Sequence, residues 1–131
     1  MTTQPQTVPE DWIGSLPEFL VFSELIRRGL QEGIDFTYQS PLLGGRAERG
    51  GLVVDFIFSN PPGLAIGVQG EYFHQNQGAQ VQARDKMARA QLAGQGITLI
   101  FIDAEDILED VEYYVGQALN FNDLSFLGRG G

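Results

Sequence analysis

Three short stretches hold the residues whose types and spacing could do chemistry. The first is LVVDFIF, residues 52–58, where Asp55 interrupts a run that is otherwise β-branched, aromatic and apolar. A carboxylate in such a run needs a metal ion, a basic partner or hydrogen-bond donors, because an unpaired buried charge is costly. Asp55 therefore reads either as a ligand or as a strand-end aspartate, half exposed or paired with an arginine. The second is LAIGV running into QGEYFH, where Gly70 permits a sharp change of direction and Gln69, Glu71 and His74 follow. His74, the only histidine, reads as an acid/base group or as a structural side chain beside two aromatics; Glu71 reads as a ligand or a solvated loop charge. The third is the stretch bearing Arg84, Asp85, Lys86 and Arg89, which could face phosphates or form a solvated helix face. Taken together, an acid on one strand and polar groups at the end of the next can converge on a divalent ion. Such an ion polarises a phosphoryl oxygen and lowers the pKa of an attacking water. Hard oxygen donors favour Mg²⁺, with Mn²⁺ as its substitute.

The elements that must position these residues follow from local patterning. Residues 1–14 read as a loose polar arm. Ser15 is an N-cap, Pro17 lies in the first turn, and Glu18 stands at the third position after Ser15 as in a capping box. The helix runs to about Leu30, with Phe19, Phe22 and Ile26 on one face flanked by Leu25 and Leu30, and Gly33 ends it. Strands are expected over 35–40, 52–58, 64–68 and 97–102, the middle two joined as a hairpin by the turn SNPPG. Residues 44–51 form a basic, glycine-rich turn carrying Arg46 and Arg49. A polar linker at 75–82 leads to a helix over 83–93, and an acidic-ended helix occupies 103–119. The order is α, β, β, β, α, β, α. The continuous apolar run ITLIFI implies a strand buried on both faces. The expected fold is therefore α/β, one domain over 15–119 with a central mixed sheet flanked by helices on both faces, and a tail at 120–131.

Composition narrows the classes of function. The chain has 131 residues, which suits one domain, and no cysteine, which removes a disulfide scaffold, a thiol nucleophile and cysteine-ligated zinc. The longest apolar runs are strand-length, so no membrane association is expected. The start, MTTQPQTVPEDW, has neither the basic region nor the apolar run of a secretory signal, and a cytoplasmic protein is the expectation. The net charge is −9, which opposes binding to a polyanion. The few basic residues are clustered, however, and acid is concentrated near the C-terminus in Asp103, Glu105, Asp106, Glu109, Asp110 and Glu112. A locally basic face on an acidic protein is compatible with this distribution, and a second subunit could complete it.

In order and motif the chain resembles the PD-(D/E)XK nuclease superfamily, and within it the very-short-patch repair endonucleases. That branch has a strand ending in aspartate, a strand running into a glycine turn, then two aromatics and a histidine. Here the residues are VVDFIF and AIGVQGEYFH, with Tyr72, Phe73 and His74 at the aromatic–aromatic–histidine step. Downstream, RDKMARAQLAGQGITLIFID is similar to the family's helix beginning Arg-Asp, followed by a leucine, a glycine and a strand. The resemblance spans about residues 17–103 and rests on order and spacing rather than on any one motif.

The resemblance implies a restriction-endonuclease-like core and a Mg²⁺- or Mn²⁺-dependent DNA endonuclease. Carried over by position, Asp55 is the metal ligand and the backbone carbonyl of Val68 a second ligand. His74 is the acid/base or water-orienting group, with Gln69 beside it. Glu18 is the first-helix acid, with Glu24 as its fallback, and Arg46, Arg49, Arg84, Lys86 and Arg89 contact DNA. The chain also departs from the pattern. Gly67 and Gln69 stand where related nucleases carry acids, and Gln69 where the repair branch has histidine. Lys86 is the only lysine, and none follows Asp55. Without cysteine the branch's structural zinc site is absent, so mismatch recognition is not carried over. These departures, with the acidic charge, keep a second reading open: a catalytically inactive member of the same fold, acting as a homodimer or as a binding or assembly module in a larger nucleoprotein complex, including a phage-encoded one.

Overall fold

The computed structural model describes residues 9–12, 14–38, 54–70 and 89–125. Helix α1 (Leu16–Arg27) begins as its sequence dictates: the Ser15 hydroxyl oxygen accepts the Glu18 N–H at 3.3 Å, and proline occupies the first turn. Its buried face is Leu20, Val21 and Leu25 with Glu18 and Glu24, not the expected stripe of Phe19, Phe22 and Ile26. The reason lies before the helix. Trp12 packs edge-on against Phe19 and Phe22 at 5.1 and 5.2 Å and stacks on Tyr38 at 4.9 Å, so these rings are covered from the side. Ile26 is left 45% exposed.

Among the described residues four strands follow: β1 (Phe36–Tyr38), β2 (Phe56–Phe58), β3 (Leu64–Gln69) and β4 (Thr98–Asp103). They form one mixed sheet in the order β1-β2-β3-β4. β1 pairs antiparallel with β2 and β2 antiparallel with β3, while β3 and β4 run parallel from Leu64↔Thr98 to Gln69↔Asp103. A parallel pair requires a crossover connection, and a helical segment at 89–93 lies at the end of it. The start of the pair is fixed by two glycines. Gly63, at φ +79, gives its carbonyl to the Thr98 N–H at 2.7 Å, and a Cβ on Gly63 would stand 2.9 Å from the Gly96 oxygen. Only glycine meets both demands.

The sheet buries both faces. Phe56, Phe58, Leu64, Ile66, Val68, Ile100 and Ile102 face α1 and the final helix, α2 (Ala104–Leu119). Ala65, Leu99 and Phe101 form a second, smaller core with Ile57 and Leu92, the latter from the 89–93 segment. Helices therefore flank both faces, and the strands of the parallel pair are continuously apolar because neither side meets water.

Two features shape the far side of the molecule. Within α2, Asp110 leaves helical geometry (φ −159, ψ 80), and its Oδ1 accepts the Tyr113 N–H at 3.1 Å, restarting the helix as an N-cap would. The two helices are joined by charge. Glu24 accepts from Arg27 (2.6 Å) and Arg28 (2.8 Å), and Arg27 and Arg28 reach the Glu112 carboxylate and carbonyl at 3.1 and 2.9 Å. Beyond α2, Asp123 accepts the Phe101 N–H at 2.9 Å through Oδ2. That N–H points away from β3, so the chain after α2 is fastened to the outer edge of β4. Among the described residues no helix is long and apolar enough to cross a membrane.

Candidate functional site

Asp55 owes its position to an irregularity in the β2–β3 ladder. Phe56 is the register partner of Ile66, yet the Asp55 N–H also donates to the Ile66 carbonyl, at 3.0 Å. Two residues thus oppose one, the arrangement of a β-bulge, which re-aims side chains. Burial agrees: Phe56 and Phe58 face the first core, and strict alternation would put Val54 there too, but Val54 joins the second. The re-aimed Asp55 side chain is fully buried, and its Oδ2 accepts the Val68 N–H at 2.7 Å. The carboxylate thereby takes the place a β2 backbone carbonyl would occupy had the ladder continued. In an extended strand the N–H and C=O of one residue point to the same side, so the Val68 carbonyl faces the side on which Asp55 lies.

The next residue, Gln69, is 1% exposed, and its Oε1 has no hydrogen-bond donor among the described residues. Its partner across the parallel ladder is Asp103, which is 3% exposed. Side chains alternate along a strand, so Gln69 follows Ala65 and Asp103 follows Leu99 and Phe101 on the second face. On that face the Arg89 guanidinium lies 5.0 Å above the Phe101 ring, and its Nε is buried without an acceptor among the described residues. Arg89 is therefore partly built into the core rather than displayed on a solvated helix face.

Glu18 belongs to the same end of the sheet. It is buried in the first turn of α1, where Oε1 accepts the Tyr38 hydroxyl. Tyr38 is the register partner of Phe56, the residue after Asp55. Gly14, at φ +143, closes over this pair, and a Cβ there would stand 2.8 Å from Glu18 Oε1. Glu24, the fallback acid, is committed elsewhere: the Arg27 guanidinium hydrogen-bonded to it holds its carboxyl below the usual value, against the opposing effect of burial.

At this end of the sheet Glu18 and Tyr38 thus lie on the first face and Gln69 and Asp103 on the second, while Asp55 is joined to Val68. His74, Arg46, Arg49, Arg84 and Lys86 lie outside the described residues. Among the described residues no three His, Cys, Asp or Glu side chains form a group able to hold a metal ion. A cation here would instead draw on one or two carboxylates completed by neutral oxygens. Oxygen donors of this kind would suit a hard divalent ion, and Gln69 Oε1, buried with no hydrogen-bond donor among the described residues, is an oxygen for which such an ion would compensate. Sequence reasoning singles out Asp55, Val68, Gln69 and Glu18; that Tyr38 donates to Glu18 and that Asp103 is paired with Gln69 come from the structure. In the sequence Asp103 reads as the start of the acidic helix; in the structure it ends β4, a strand buried on both faces. No family model, no curated protein and no solved structure matches the chain.

Proposed function

We propose that the chain is a metal-dependent DNA endonuclease with a restriction-endonuclease-like core, of the very-short-patch repair type within the PD-(D/E)XK superfamily. The observation that carries this reading is Asp55: a fully buried carboxylate, turned by a two-against-one irregularity toward the end of β3 and held there by Val68. Its Oδ2 is seated on the Val68 N–H, and the carbonyl of the same residue, an oxygen donor, faces the side on which Asp55 lies. The α-β-β-β-α-β-α order and the mixed sheet with one parallel pair support the same reading.

Asp55 and the Val68 carbonyl would hold Mg²⁺ or Mn²⁺, with Gln69 and Glu18 at the margin of the site. The ion supplies Lewis acidity toward a phosphoryl oxygen and a more acidic water. The chain's own residues position that water and the phosphodiester, a role given to His74 and Gln69, while Arg46, Arg49, Arg84, Lys86 and Arg89 meet the DNA backbone. The test is cleavage of supercoiled and branched DNA with Mg²⁺ and with Mn²⁺, wild type beside Asp55→Asn. Cleavage lost in the variant supports the reading; cleavage unchanged by it removes Asp55 from the chemistry.

A second reading is favoured by two other observations. The net charge is −9, and among the described residues no three acidic or histidine side chains gather to hold a metal. Both suit an inactive member of the fold that binds or assembles within a larger nucleoprotein complex. Absence of cleavage by the wild type on every substrate, with a stable complex formed by a partner chain, selects it.

A further inference from the structure

The chain leaves α2 through a residue whose conformation its type disfavours. Phe121 has φ +66, in the left-handed region, and among the described residues it is the one non-glycine residue to do so. Two backbone hydrogen bonds hold it there: the Phe121 N–H donates to the Ala118 carbonyl and the Asn122 N–H to the Gln117 carbonyl, both at 2.9 Å. Glycine normally closes a helix end of this kind, because a Cβ at that position crowds the backbone. Phe121 is 40% exposed, so burial of its ring offsets only part of that cost.

What this strained residue holds in place is the segment 121–125. Asp123 Oδ2 accepts the Phe101 N–H at 2.9 Å on the side of β4 away from β3, and Asp123 Oδ1 accepts the N–H and the hydroxyl of Ser125. The segment is thus folded on itself at its point of attachment. Beside it lies a space of about 190 Å³, lined by Asp103, Asp106, Tyr114 and Gln117 on one side and by Asn122 and Leu124 on the other. Such a space forfeits the dispersion contacts that packed side chains would supply. A strained entry, a hydrogen bond to a strand edge and an unfilled interior together give a segment a low free energy of local opening.

We propose that residues 121–125 are a strap on the outer edge of β4, poised to open at Phe121 while the sheet stays folded. Opening lets Phe121 relax to negative φ, frees the Phe101 N–H and lays open the space beside Asp103 and Asp106. The strap uses none of the residues of the nuclease reading and stands or falls apart from it.

The test is amide hydrogen exchange of the full chain, read residue by residue by nuclear magnetic resonance. Three neighbouring amides of β4 carry the answer. The Thr98 N–H donates to Gly63, so by alternation the Ile100 and Ile102 N–H point toward β3, whereas the Phe101 N–H points to the strap. Ile100 and Ile102 therefore report opening of the sheet, and Phe101 opening of the strap. Phe101 is expected to be at least about tenfold less protected than the other two. Phe121→Ala removes the ring and keeps the strain, while Phe121→Gly removes both. Protection of Phe101 is expected to be about fivefold greater in the glycine variant than in the alanine variant, with Ile100 and Ile102 alike in both. Phe101 protected as strongly as its neighbours in the wild type overturns the proposal, because the segment then opens only with the sheet. Equal Phe101 protection in the two variants, or a difference shared by all three amides, overturns it as well.

Discussion

Asp55 Oδ2 accepts the backbone N–H of Val68 at 2.7 Å, so a side chain of one strand completes the hydrogen bonding of the next after the ladder between them has parted. This contact makes the two roles of Asp55 separable. Asp55→Ala leaves the Val68 N–H buried without its acceptor and is expected to cost about 1–3 kcal/mol in urea unfolding. Asp55→Asn keeps an oxygen in place and should be clearly more stable than Asp55→Ala. Cleavage should be lost in both. A cleavage loss that tracks stability across the two variants would mean the carboxylate is structural only.

Glu24 supplies a pH dependence whose sign is fixed by its neighbours. Hydrogen bonding from Arg27, reinforced by the charges of Arg27 and Arg28, lowers its pKa in the folded chain below the ordinary value of 4.5. The stability it contributes is therefore fully present above the unfolded value and is lost as pH falls through the folded one. Glu24→Gln should lower the melting temperature at neutral pH, and the gap between variant and wild type should close as the solution becomes more acidic than the folded pKa. A gap constant with pH would show that the arginines contribute nothing through charge.

Trp12, the only tryptophan, reports on the junction of α1 and β1. Its ring stacks on Tyr38 and meets Phe19 and Phe22 edge-on. Trp12→Leu should cost about 0.5–1.5 kcal/mol beyond any change in buried area. In the wild type, tryptophan fluorescence should change in the same transition as the far-ultraviolet circular dichroism. An earlier, separate fluorescence transition would show that this junction opens independently of the sheet.

Asp110 caps the second half of α2 from inside the helix. Asp110→Ala should destabilise the chain by about 0.5–2 kcal/mol, and Asp110→Ser or Asp110→Asn by much less. Equal losses in all three would assign the effect to the backbone break rather than to the cap.

Much of the scaffold was readable from residue types. Ser15 and Pro17 start α1 where a capping serine and a first-turn proline should, and LAIGV and ITLIFI form the parallel pair because only doubly covered strands can be so continuously apolar. The buried face of α1 was not readable, because Trp12 lies outside the helix and helical periodicity carries no information about what approaches from its side. The irregularity at Asp55 was equally hidden: the apolar run LVVDFIF implies uninterrupted alternation, and the break comes from pairing with Ile66. Asp103 was masked by its surroundings in sequence, since it opens a series of acids whose other members belong to a helix.

The attachment of Asp123 to the Phe101 N–H has a consequence for the behaviour of the chain in solution. Among the described residues β4 is the last strand of the sheet, and a strand in that position offers its unused amides to any other extended chain. A single aspartate from beyond α2 occupies one of these donors with a group that cannot propagate a ladder. The segment after α2 thus acts as a guard against strand addition. Removing the Asp123 carboxylate should raise edge-to-edge self-association, read by analytical ultracentrifugation of Asp123→Ala beside the wild type, with the core intact.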